Sequence, residues 1–132
     1  DRVHLFRNIA AVTIDMDDLE LIDLSMLGGT DVVNVANLAG TATTDVAVRL
    51  ASTGGSPDAL VDSVVVNGTA GNDAFTIAPL DAGVAMSGNG VNLVITGQDP
   101  AFDTLAVHGT TGTDTFTTGD GVYALIQLTF GF

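Results

Sequence analysis

Carboxylates are the side chains of this sequence best suited to chemistry. Sixteen residues are acidic, fifteen of them Asp and one Glu (Glu20), against three Arg and no Lys, for a formal net charge of −13. Oxygen ligands at that density suit a hard divalent cation, and carboxylate pairs at a fixed separation suit glycoside hydrolysis. Three groupings stand out: Asp31, Asp73 and Asp114; Glu20, Asp62 and Asp103; and the local cluster Asp15, Asp17 and Asp18. The local cluster is not an EF-hand loop. Counted from Asp15, that loop requires Gly at the sixth position and an acid at the twelfth, where this chain has Glu20 and Met26. A solvated face explains it better. His4 and His108 are far apart in sequence, and Arg49 is the only cation beyond the N-terminal stretch. No G-x-S-x-G turn, phosphate-cradling loop or His-rich motif accompanies them.

The charge excludes some partners. Binding nucleic acid or anionic lipid needs a cationic patch that releases counterions, and this chain offers none. No apolar run approaches the roughly 20 residues that span a bilayer, so neither nucleic acid nor membrane insertion is expected. Asp in place of Glu disfavours helix, and abundant Gly, Thr and Val read as short strands joined by tight turns. At 132 residues one domain over 1–132 is expected. Cysteine is absent, which excludes disulfides and thiolate metal sites. The chain opens on Asp1 rather than Met, and it is read as a piece of a longer protein whose targeting signal lies elsewhere.

The elements that must position the carboxylates come from an internal repeat. Asp62 to Ile77 lies over Asp103 to Thr118 at an offset of 41 residues, with eight of sixteen positions identical. A weaker copy, Glu20 to Val35, precedes Asp62 by 42. Each copy holds two alternating apolar runs about a corner, such as Val64 and Val66, then Gly68 to Asp73, then Phe75 and Ile77. A third run follows: Val46, Val48 and Leu50; Val91, Leu93 and Ile95; or Ile126, Leu128 and Phe130. Three strands per period predict a right-handed parallel β-helix, an all-β solenoid of about three turns with three short strands per turn. Its repeats would be 20–61, 62–102 and 103–132, with 1–19 part of a preceding turn. The expected interior columns are Ile22, Val64 and Leu105; Leu24, Val66 and Val107; and Val33, Phe75 and Phe116. An antiparallel sandwich also uses short strands and Gly-rich turns, but it gives no reason for the repeat.

Stacking would do for the carboxylates what adjacency in sequence does not. Rungs about 4.8 Å apart are separated by close to twice a calcium–oxygen bond of about 2.4 Å, so a column of Asp31, Asp73 and Asp114 is a candidate calcium site. The alternative is that these Asp side chains bond corner amides, as Asp does in turns.

The corner Gly68-Thr-Ala-Gly-Asn-Asp-Ala-Phe-Thr76 resembles the nine-residue repeat G-G-x-G-x-D-x-U-x of the repeats-in-toxin, or hemolysin-type calcium-binding, proteins. Gly68, Gly71, Asp73 and Phe75 match it and Thr69 departs; Gly109, Gly112, Asp114 and Phe116 match in the next copy, and Gly29, Asp31 and Val33 in the weakest. The resemblance implies type I secretion, an extracellular or cell-surface location and calcium-assisted folding. That family's sites arise where nonapeptides follow one another directly, whereas here the copies are isolated. The expected function is a non-catalytic structural scaffold in an exported bacterial protein, with calcium as its ion. A self-assembling subunit of a fibre or surface layer, docked head to tail, and a polysaccharide lyase or glycosidase fragment are the alternatives.

Overall fold

The computed structural model describes residues 2–131. Among the described residues, twelve strands and two short 3-10 segments make a mostly β structure. A hairpin of β1 (Val3–Arg7) and β2 (Val12–Met16) forms a two-stranded sheet of its own. The remaining strands are β3 (Leu21–Leu27), β4 (Val32–Val35), β5 (Asp45–Ser52), β6 (Ser63–Asn67), β7 (Ala74–Leu80), β8 (Gly83–Ser87), β9 (Asn92–Thr96), β10 (Thr104–His108), β11 (Thr115–Thr118) and β12 (Gln127–Gly131). They build a four-stranded sheet in the order β12-β10-β6-β4 and a six-stranded sheet in the order β11-β7-β8-β9-β5-β3.

This arrangement replaces the right-handed parallel β-helix expected from the repeat. A three-faced solenoid would put the strands of each period on three separate parallel faces. Here β7, β11, β5 and β9 share one mixed sheet, because β8 lies between β7 and β9 and runs antiparallel to both. Strand β8 is additional to the three strands per period that the repeat predicts. Asp81, at φ 53°, and Ala82 turn the chain back after Leu80, which pairs with Gly83. Glycine then lets the new strand sit close: a Cβ on Gly83 would lie 2.4 Å from the Ile95 carbonyl oxygen, and one on Gly88 would lie 2.4 Å from that of Ala74.

The four-stranded sheet is parallel throughout, and its register sets the apolar columns. Val33, Val64, Leu105 and Leu128 align, as do Val35, Val66, Val107 and Phe130. In the larger sheet Ile22 aligns with Val46 and Leu93, and Leu24 with Val48 and Ile95. Thus Val64 neighbours Leu105 and Phe75 neighbours Phe116, whereas Ile22, Leu24 and Val33 leave the columns expected for them. The first copy aligns differently because only a loop joins β4 to β5, with no counterpart of β7 and β8. Strand β4 therefore takes its place beside β6, at an offset of 31 from Asp31 to Asp62.

Inward residues of both sheets form one core, with Val48, Val64, Ile77, Ile95, Leu105 and Ile126 fully buried. Each such side chain contributes about 1.5–3 kcal/mol by leaving water. Leu105 sits mid-column between Val64 and Leu128, so Leu105→Ala removes the transfer contribution and leaves a cavity. The expected loss is about 2–5 kcal/mol in urea denaturation. A loss under about 1 kcal/mol, the scale of an average point substitution, would contradict the packing described.

Candidate functional site

The carboxylates do come together in columns, with the membership changed. Asp31, Asp62 and Asp103 form one, each standing immediately before a strand of the four-stranded sheet. The Asp31 N–H donates to Asp62 Oδ1 at 2.8 Å, and the Asp62 N–H donates to Asp103 Oδ1 at 2.9 Å. Asp103 Oδ2 accepts from the Asp99 N–H at 2.6 Å. The second column is the pair Asp73 and Asp114, linked by the Asp73 N–H donating to Asp114 Oδ1 at 3.0 Å. The expected calcium column of Asp31, Asp73 and Asp114 is therefore split: Asp31 belongs with Asp62 and Asp103. It takes the place expected for Glu20, whose backbone carbonyl instead accepts from Thr44 and Asp45. Asp followed by an x-apolar-x-apolar run is shared by Asp31 to Val35, Asp62 to Val66 and Asp103 to Val107, but also by Asp73 to Ile77, so it marks strand thresholds without saying which of them are neighbours.

The corner before β7 shows why its motif carries Gly and Asp together. Asp73 folds back so that Oδ2 accepts the Thr69 N–H at 2.8 Å and Oδ1 accepts the Thr69 hydroxyl at 3.0 Å. Its carboxylate then occupies the space a side chain at Gly68 would need, with Oδ2 2.6 Å from an ideal Cβ there. At Gly109 the fit is tighter still, and Asp114 Oδ2 would lie 2.1 Å away. The two corners also bond to each other. The Thr110 hydroxyl donates to the Thr69 carbonyl, the Thr111 hydroxyl to that of Ala70 at 3.0 Å, and the Thr113 N–H to Asn72 Oδ1 at 2.8 Å.

Other candidates are spent on ion pairs or stand apart. Arg49 of β5 makes a two-pronged contact with Asp23 of β3, at 2.9 and 2.6 Å. In the hairpin Arg2 bonds Asp15 at 2.7 Å and Asp17 at 3.2 Å, while His4 lies 3.9 Å from Asp15. His108 ends β10, exposed between Asn67 and Gly131. Among the described residues no three His, Cys, Asp or Glu side chains converge on a point where a metal ion could sit. What the arrangement does chemically is cap strands: a buried carboxylate stays satisfied by accepting charge-assisted bonds from backbone amides.

Asp62 is nearly sealed, at 1 % exposed. Burial pushes its carboxyl above the usual carboxylate range, the charges of Asp103, Asp31 and Asp58 push it the same way, and the Asp31 N–H pulls against them. Hydrogen bonds act oppositely on three exposed groups and one half-buried group, holding Asp15 (by Arg2), Asp23 (by Arg49), Asp45 (by Thr44) and the half-buried Asp58 (by the Gly29 N–H) below that range.

Comparison with known proteins finds no matching family model, no curated protein and no solved structure.

Three outcomes follow from this geometry. Because folded Asp62 holds its proton to higher pH than the unfolded chain does, stability rises as pH falls from neutrality through its raised pKa. The four lowered carboxylates contribute stability that is lost only further down, as pH falls through their own folded values. Melting temperature measured against pH should show that rise, and Asp62→Asn, which keeps the acceptor for Asp31, should remove it; a wild-type curve falling over the same window would refute the assignment. Gly109→Ala should cost about 1–3 kcal/mol by overpacking against Asp114, whereas Gly54→Ala, with open space around it, should be neutral; equal denaturation midpoints would refute the corner's role. Chelation of divalent ions should leave the melt unchanged, and a calcium-dependent rise abolished by Asp73→Ala would return the ion to this column.

Proposed function

We propose that this chain is a non-catalytic structural module of an exported bacterial protein, a rigid β spacer that holds neighbouring segments apart. The observation that carries this reading is the use of its buried carboxylates. Asp62, Asp73 and Asp103 are spent on backbone amides and a hydroxyl of the chain itself: Asp62 and Asp103 lock strand to strand, and Asp73 closes its own corner. Two of its three arginines, Arg2 and Arg49, are spent likewise in ion pairs. The corners at Gly68–Asp73 and Gly109–Asp114, with their likeness to the calcium-binding nonapeptide, support export to an extracellular or cell-surface location. Carboxylates already satisfied from within suit a medium whose ion content the cell does not control.

A spacer must hold its shape, and the chain, having no cysteine, is suited to measuring that. Spin labels on Ser56→Cys and Asp120→Cys, both exposed loop positions, should give one narrow distance peak that persists until the cooperative melt. A broad or multi-peaked distribution under native conditions would remove the spacer reading. Turnover of any member of a panel of acidic polysaccharides, lost on substituting a buried Asp, would replace it with an enzymatic one.

A further inference from the structure

Natural strand edges are guarded by charge, Pro, bulges or shortness, and of these the outer strands of the four-stranded sheet have only the four-residue length of β4. In the six-stranded sheet β3 carries the Asp23–Arg49 pair and a register shift between Ser25 and Leu27. By contrast β4 reads Val-Val-Asn-Val and β12 reads Gln-Leu-Thr-Phe-Gly, with no charge, Pro or bulge in either. Val32, facing outward on β4, is 68 % exposed.

The capping pattern specifies what the β4 edge awaits. Along the column each carboxylate accepts the amide of the preceding strand, Asp62 from Asp31 and Asp103 from Asp62. Asp31 begins the column with no strand before it, and its Oδ1, the atom that at Asp62 and Asp103 takes the preceding strand's amide, accepts no hydrogen bond from the described residues. Its enclosed Oδ2 lacks a different donor, the amide four residues earlier that Asp73 and Asp103 have within their own corners. The group missing at Oδ1 is a backbone N–H on a strand running parallel to β4, one residue ahead of that strand's first pairing position.

We propose that copies of this chain associate head to tail, the β12 edge of one adding in parallel to the β4 edge of the next. Strand β12 has the polarity and alternation required. Carrying the existing register across the junction puts Gln127 opposite Val32, Leu128 opposite Val33, Thr129 opposite Asn34 and Phe130 opposite Val35. Both apolar columns then continue, and Leu128 and Phe130, partly exposed at the open end, meet Val33 and Val35. The Ile126 N–H, which makes only a long 3.3 Å bond to the Val122 carbonyl, falls at the position that donates to Asp31. The junction is heterologous, so it makes an open chain of copies. It goes beyond the spacer reading and holds whether or not that reading does. Net charge opposes it: −13 on each copy repels at low ionic strength and is screened by salt.

Sedimentation velocity over a concentration series tests the association. The average sedimentation coefficient should rise with concentration, and more steeply in about 1 M salt, where the screening length is about 3 Å. A single monomeric species throughout overturns the proposal. Val32→Asp with Gln127→Asp sets two like charges opposite each other across the junction and should weaken association about tenfold or more, and Val32→Lys with Gln127→Asp should restore it. Unchanged association in the first variant, or none in the second while circular dichroism shows it folded, overturns the assignment of these edges. An independent readout is crosslinking. Val32→Cys and Gln127→Cys proteins, mixed and oxidised, should join only to each other, since adjacent strands lie within disulfide reach. Val32→Cys joining to itself would mean a two-fold pairing instead and would reject the head-to-tail junction.

Discussion

The structure depends on one hydrogen bond made repeatedly: the amide at the threshold of a strand donates to the carboxylate at the same threshold on the next. It occurs from Asp31 to Asp62, from Asp62 to Asp103 and from Asp73 to Asp114. A buried carboxylate without such a donor would be a large liability, and a corner amide without an acceptor a smaller one; the bond resolves both. Its reach also accounts for the composition. Rungs are about 4.8 Å apart, a gap the short arm of Asp closes at little cost in side-chain freedom, whereas Glu would have another torsion to fix.

The same bond constrains glycine placement and the distribution of charge. Asp73 and Asp114 lie where a β-carbon on Gly68 or Gly109 would be, so the Gly and Asp of each corner are one packing unit. Between corners the chain uses neutral ladders: Thr104 to Ser63 at 3.1 Å and Asn67 to Asn34 at 2.8 Å. Uncharged rungs matter in a chain of net charge −13, because like charges directly opposite on neighbouring strands are destabilising. Where an exposed Asp faces a neighbouring strand in the six-stranded sheet it meets a partner that is not acidic: Asp23 meets Arg49, and Asp45 accepts from the Asn92 amide.

How much of this was legible in the sequence follows from what alternation encodes. Period-two apolar runs identify strands and their inward faces, so Val64 and Val66, Leu105 and Val107, and Phe75 and Phe116 could be paired through the 41-residue offset. Alternation does not say which strand is the neighbour. In the first copy the match by constant period, Glu20 over Asp62 at an offset of 42, lost to Asp31 over Asp62, because β4 rather than β3 lies against β6. Strand β8 escaped notice since Val84 and Met86 are only two inward positions flanked by Gly83 and Gly88, which read as turn signals. That omission turned a mixed sheet into an expected three-faced coil. The Gly-x-x-Gly-x-Asp corner resembles a calcium-binding repeat, and in the structure its carboxylates accept amides and a hydroxyl.

The column is polar, and its two ends differ for a reason visible in the side chains. Past Asp103 the next position in register is Ile126, an aliphatic residue that accepts nothing, and the Asp103 amide turns back to the Asp99 carbonyl at 2.8 Å. The carboxylate series is thus closed at that end within the chain, with Asp103 Oδ2 also taken by Asp99. At the other end Asp31 has given its amide to Asp62, and its Oδ1 has no amide from a preceding strand, so the series is open there by one donor. Because every link runs the same way, from an earlier amide to a later carboxylate, the open position can be filled only from the side preceding β4. A structure whose cohesion comes from directed links of this kind carries its direction to its surface, and the β4 edge is where that direction is exposed.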